Sequence, residues 1–111
     1  MTDTFDNRLA ALRQRFRDRA NATSEVLEGI AADLERGAPG TLLQAEIQRI
    51  AHSLAGGGGT FGFAAISACA ARLEEFANDL PDSPELPGAC RALISEIERA
   101  DYRGSSANGR R

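Results

Sequence analysis

The chain contains no lysine: all 13 of its basic residues are arginine. That excludes a phosphate-cradling loop of the GxxxxGK[ST] type, in which the lysine reaches the phosphates. Tryptophan is also absent and aromatic residues make up only 5% of the sequence. An interior must then be assembled from Leu, Ile, Ala and a few Phe, the material of small helical bundles. One histidine and two cysteines without CxxC spacing do not supply a metal-ligand cluster, so no metal or cofactor of its own is expected. No run approaches the roughly 18 apolar residues a membrane span requires. The opening Met1-Thr2-Asp3-Thr4-Phe5-Asp6 is too polar and acidic for a secretory signal. These absences predict a cytoplasmic protein without a membrane partner. A net charge of -3 and a pI near 5.1 leave no electrostatic footprint for nucleic acid. With 111 residues, the chain can bury one modest core but not a deep catalytic cleft as well, which disfavours a small-molecule enzyme.

What is present is helical periodicity. Phe5, Leu9, Leu12, Phe16, Ala20, Thr23, Leu27, Ile30 and Leu34 recur at spacings of three and four, predicting one long helix, or two in line, from about Thr4 to Arg36. Asn21, Thr23 and Ser24 are weak helix formers and predict a bend or short break there. Gly37 is the expected C-cap. Thr41 and Gln44 match a capping box that would open a second helix, expected to decay within Gly56-Gly57-Gly58-Gly59. A third helix follows Gly62, with Ile66, Cys69, Ala70, Leu73, Ala77 and Leu80 inward. After the turn residues Pro81 to Gly88, a fourth spans about Pro87 to Ala100 and buries Cys90, Leu93, Ile94 and Ile97. The two cysteines are read as buried free thiols. The predicted fold is all-α, an up-and-down antiparallel four-helix bundle with an N-terminal helical extension. It forms a single domain over 1–101, followed by a disordered tail over 102–111. No second apolar face calls for another copy, so a monomer is expected.

The only histidine, His52, lies roughly 170° from the centre of the apolar arc formed by Leu43, Ile47, Ile50 and Leu54, at about 100° per residue. Its imidazole should face water. Gly56 projects within about 40° of it, so bare backbone stands beside the ring where another protein surface could approach. A pure helix terminus needs one glycine, whereas this segment has four in a row and then Gly62. Glu74 lies at the core–solvent border of the next helix, roughly 90° from the centre of its apolar arc. If the two helices pack antiparallel, its carboxylate comes level with His52, accepts from Nδ1–H and leaves Nε2 as the nucleophilic nitrogen. Arg49, about 60° from His52 and one turn earlier, is placed to pair with a phosphoryl group on the ring. Ser53 or Ser67 could complete a Ser-His-Asp set only with an oxyanion hole that nothing here provides.

The stretch from His52 to Glu74 resembles the histidine-containing phosphotransfer (HPt) domains of multistep two-component phosphorelays. His52-Ser53-Leu54-Ala55-Gly56 is similar to the family's His-x-Leu-Lys-Gly. Gly59, Thr60 and Gly62 fall where the family has small residues and a Gly, and Leu73-Glu74 resembles its downstream Leu-Glu or Leu-Gln. Ala55 replaces the basic residue the family usually carries three positions after the histidine, and Arg49 is the expected partial substitute. The resemblance implies a phosphocarrier. His52 would take a phosphoryl group from the phosphoaspartate of one receiver domain and yield it to another, within a relay fed by a hybrid sensor histidine kinase. Ala45, Gln48, Arg49, Ala55, Gly56 and Gly59 would form the docking face, and Mg²⁺ would belong to the receiver alone. The alternatives are an adaptor of the same fold that binds receiver or kinase domains without being phosphorylated and, ranked below it, a small enzyme using His52 as general base. The tidy start and short tail predict a free-standing carrier.

Overall fold

Leu27, Ile47, Leu73 and Leu93 are wholly withdrawn from solvent, each burial stabilising by about 1.5–3 kcal/mol, and one of them comes from each of four helices. The computed structural model describes the fold of residues 2–109 and the side chains of residues 4–101. Helix α1 spans Thr2–Glu35, α2 Gly40–Phe61, α3 Ala64–Asp79 and α4 Leu86–Gly109; there is no strand among the described residues. α2 packs on α1 and α3, and α4 closes the ring by packing on α3 and α1. Cross-helix bonds fix the directions. Asn21 meets Asp101 while Glu28 and Glu35 meet Arg91, so α1 and α4 run antiparallel. Gln44 meets Ala77 and Ser67 meets Ala55, so α2 and α3 do too. This is the up-and-down four-helix bundle expected from the periodicity.

The long axis of 52 Å is set by α1, whose 34 residues rise about 1.5 Å each. Its core contribution begins at Phe16. Phe5, Leu9 and Leu12, which continue the same stripe in sequence, are exposed, Phe5 at 68%, because the extension carries them beyond the partner helices. The expected break near Asn21 does not occur. Asn21 donates to the Asp101 carboxylate and Ser24 Oγ to the Asn21 carbonyl, so two of the three weak formers find partners while the helix runs on. Gly37, at φ 102°, ends α1 as expected. Its N–H bonds the Leu34 carbonyl and that of Ala38 the Asp33 carbonyl, a Schellman arrangement.

Two expectations for α2 are corrected. The capping box of Thr41 and Gln44 does not form: the helix starts at Gly40 with Pro39 as N-cap and no side-chain cap, while Gln44 donates across to the Ala77 carbonyl. Gly40 is pressed against the Pro81 turn, where an added Cβ would overlap the Pro81 carbonyl oxygen. Nor does the helix decay within the glycines. It runs to Phe61 and stops at Gly62, φ 85°, with Phe63 N–H on the Gly58 carbonyl at 2.7 Å. Packing offsets the poor helix propensity. A Cβ at Gly57 would stand 2.6 Å from the Phe16 ring, and one at Gly58 would stand 3.0–3.1 Å from backbone atoms of Ser67 and Phe63.

In α3, Ile66, Ala70, Leu73 and Ala77 are buried as expected, but Cys69 is only half-buried and Leu80 lies exposed just past the helix end. In α4, Cys90, Leu93, Ile94 and Ile97 are buried. This helix is assigned through Gly109, beyond the end near Ala100 that the apolar periodicity predicts. The disordered tail expected over 102–111 lies outside the residues whose side chains are described.

Candidate functional site: a histidine on the outer face of α2

Because Ile47, Ile50, Ala51 and Leu54 turn inward, the helical period leaves His52 on the opposite side, and its side chain is 81% exposed. Glu74 follows the fully buried Leu73, which sets it at the edge of α3 with its side chain 28% exposed. His52 Nδ1 and Glu74 Oε2 are 2.9 Å apart. An ionised carboxylate only accepts, so in the neutral ring this contact sets the proton on Nδ1, donated to Glu74, and leaves the lone pair of Nε2 facing outward.

The register that brings these residues level is held by three polar links the sequence did not reveal. Gln44 Nε2 donates to the Ala77 carbonyl at 2.7 Å, Gln48 Nε2 to Asn78 Oδ1, and Ser67 Oγ to the Ala55 carbonyl at 2.8 Å. Gln44 and Gln48 stand one turn apart at the border of the apolar arc, the only hint that they reach across. Ser67, weighed above as a nucleophile, spends its hydroxyl on this link.

The expected docking residues divide by the same geometry. Ala45, Arg49, Gly56 and Gly59 share the exposed side of α2 with His52. An added Cβ at Gly56 would meet nothing within 4 Å, and one at Gly59 would meet only Ser67 Oγ, at 3.6 Å. Gln48 and Ala55 are half-buried on the α3 side, Ala55 packed against the core. Arg49 lies over its own helix, 3.7 Å from Glu46, a long and largely exposed ion pair that holds the guanidinium only loosely. The glycine run thus serves two purposes: Gly57 and Gly58 admit Phe16 and α3, whereas Gly56 and Gly59 leave open surface beside the ring. Among the described residues no group of three or more His, Cys, Asp or Glu is placed to hold a metal ion, and no helix is long and apolar enough to cross a membrane.

The Hpt domain model matches residues 6–100, which takes in the whole of α2 and α3 and the core of the bundle. The chain belongs to the Hpt domain family. No curated protein and no solved structure matches it. Hpt domains are phosphocarriers rather than catalysts, and membership supports a histidine phosphotransfer role in two-component signalling. Its single histidine is the one displayed on α2.

Proposed function

We propose that His52 is the phosphoacceptor of a relay between receiver domains, and the observation that carries the reading is the exposed imidazole tied through Nδ1 to Glu74 at 2.9 Å. Nε2 attacks the phosphorus of a receiver phosphoaspartate; the N–P bond forms as the bond from phosphorus to the carboxylate oxygen breaks, and the carboxylate leaves as an anion. The Nδ1 proton stays in place, and Glu74 stabilises the positive charge that the ring acquires. Transfer to a second receiver reverses these steps. The receiver supplies Mg²⁺ and the cationic groups around the in-line transition state, so this chain needs no cofactor of its own. Arg49, loosely held, swings to the phosphoryl oxygens where Ala55 offers no charge. The open backbone at Gly56 and Gly59 lets the receiver reach attack distance. The setting is the cytoplasm, the protein acts as a monomer, and the relay is fed by a hybrid sensor histidine kinase.

Incubation with receiver domains phosphorylated by acetyl phosphate tests the reading. The expected result is acid-labile, base-stable phosphate on the wild-type protein and none on His52→Gln. Receiver binding without label would support the unphosphorylated adaptor instead. Neither label nor binding would remove both readings.

A further inference from the structure

Five of the 13 arginines, Arg8, Arg13, Arg15, Arg17 and Arg19, fall within twelve residues of α1 that contain a single acid, Asp18. In a chain of net charge -3 this is the strongest local charge. Arg36, Arg49, Arg91 and Arg99 each pair with a carboxylate; none of the five does so among the described residues. Arg13 and Arg17 are accounted for by packing, both guanidinia lying over the Phe63 ring at 5.5 and 5.8 Å. Arg8, Arg15 and Arg19 are exposed and fall within about 40° of one another on the helical wheel, forming one stripe. Arg15 and Arg19 are a like-charge pair four residues apart, which weakens a helix slightly. Arg19 is itself packed, its guanidinium lying over the Phe16 ring at 5.6 Å, but folding gives no reason for a second like charge at Arg15.

The position of the stripe gives one. Phe16 packs at Gly57, and Arg19 reaches along α2 so that its Nη2 would stand 3.4 Å from a Cβ at Gly57. Gly57 is next to Gly56, on the open surface beside His52. With about 1.5 Å of rise per residue and about 9 Å between helix axes, the backbone of Arg19 and Arg15 lies roughly 10–15 Å from that of His52. An interface of ordinary size covers about 800 Å² per partner, a disc of roughly 16 Å radius. A protein seated over His52 therefore covers Arg15 and Arg19, whereas Arg8, seven residues and about 10 Å further along α1, falls outside it. From this charge and placement we infer that the Arg15–Arg19 pair is the electrostatic half of the docking surface, and that its occupant is the acidic face of a receiver domain. A partner that holds Mg²⁺ at an aspartate must carry carboxylates around it, and a cationic pair beside the nucleophile complements them. The inference rests on the phosphocarrier reading.

The test is the double variant Arg15→Gln/Arg19→Gln, with His52 labelling measured from two donors: receivers phosphorylated by acetyl phosphate, chosen because they label the wild type, and phosphoramidate, too small to need a docking surface. The expected result is at least about a tenfold fall in kcat/KM for receiver-driven labelling at low salt, carried by KM. The difference should shrink at about 1 M salt, where the Debye length is about 3 Å, and phosphoramidate labelling should stay unchanged. Receiver-driven labelling equal to wild type at low salt would overturn the inference while leaving the phosphocarrier reading intact. That holds equally if the wild type alone then adheres to anionic lipid vesicles or RNA, which would assign the pair to another partner. A parallel fall with both donors would also overturn it, since the arginines would then be acting on the fold or the ring. If no receiver labels His52, the phosphocarrier reading and the inference fall together.

Discussion

In the proposed mechanism His52 and Glu74, 2.9 Å apart, divide one task between them: the histidine would supply a lone pair at Nε2, and the carboxylate would keep the proton on Nδ1. Losing the carboxylate leaves the ring free to turn and to hold its proton on either nitrogen, and removes the charge that balances a phosphorylated imidazole. Glu74→Ala is expected to slow receiver-driven labelling about tenfold, in the range such orienting partners command. Glu74→Gln keeps an acceptor oxygen without the charge and should fall between that variant and wild type. Arg49→Ala, which touches neither nitrogen, should slow transfer while leaving the proton on Nδ1, as followed by imidazole ¹⁵N shifts. Equal rates for wild type and Glu74→Ala would remove Glu74 from the mechanism.

At the scale of elements, α2 is a helix made of two parts that the sequence presents as one pattern. The exposure of His52 was legible because three- and four-residue spacing of Ile47, Ile50 and Leu54 forces it outward. Glu74 was legible as a border residue one position after an inward leucine. The continuity of α2 through four glycines was not legible, because propensity counts the cost of each glycine and says nothing of the Phe16 ring or the Ser67 backbone that occupies the vacated space. Nor was the failure of the capping box, since the contact that places Gly40 at the helix start comes from Pro81, some forty residues on. The exposed stretch of α1 was hidden for a related reason: Phe5, Leu9 and Leu12 obey the same period as Phe16, and the pattern does not say where the neighbouring helices end. The two kinds of glycine should part company in experiment. Gly58→Ala places a Cβ 3.0–3.1 Å from backbone atoms and is expected to lower the melting temperature. Gly56→Ala meets nothing within 4 Å and should stabilise by up to about 1 kcal/mol through helix propensity. Gly56→Gln should fold equally well yet slow phosphotransfer by more than about tenfold by obstructing the receiver. Full activity in Gly56→Gln would refute the clearance role.

For the molecule as a whole, one continuous core of aliphatic side chains and Phe16 holds α2 and α3 as a rigid platform, so the site inherits its precision from the bundle. Cys90 reports on that core. It is fully buried, and burial pushes its thiol up to about 11 from an ordinary value of 9.0, so it stays protonated and inert at neutral pH. Because this value is raised in the folded state, the associated stability is complete below about pH 9 and is lost as pH rises toward 11. Alkylation of Cys90 at neutral pH should therefore require opening of the bundle. Leu73→Ala, expected to cost about 2–5 kcal/mol, should accelerate it at least about thirtyfold when opening is a rapid equilibrium. Unchanged alkylation would mean that Cys90 is reached without unfolding. The central claim, that the outward Nε2 of His52 receives the phosphoryl group while Nδ1 keeps its proton on Glu74, is tested most directly by long-range ¹H–¹⁵N NMR of the imidazole after labelling from a phosphorylated receiver. The account predicts phosphorus bonded at Nε2 with Nδ1 protonated; phosphorus at Nδ1, or an unmodified ring in labelled protein, would contradict it.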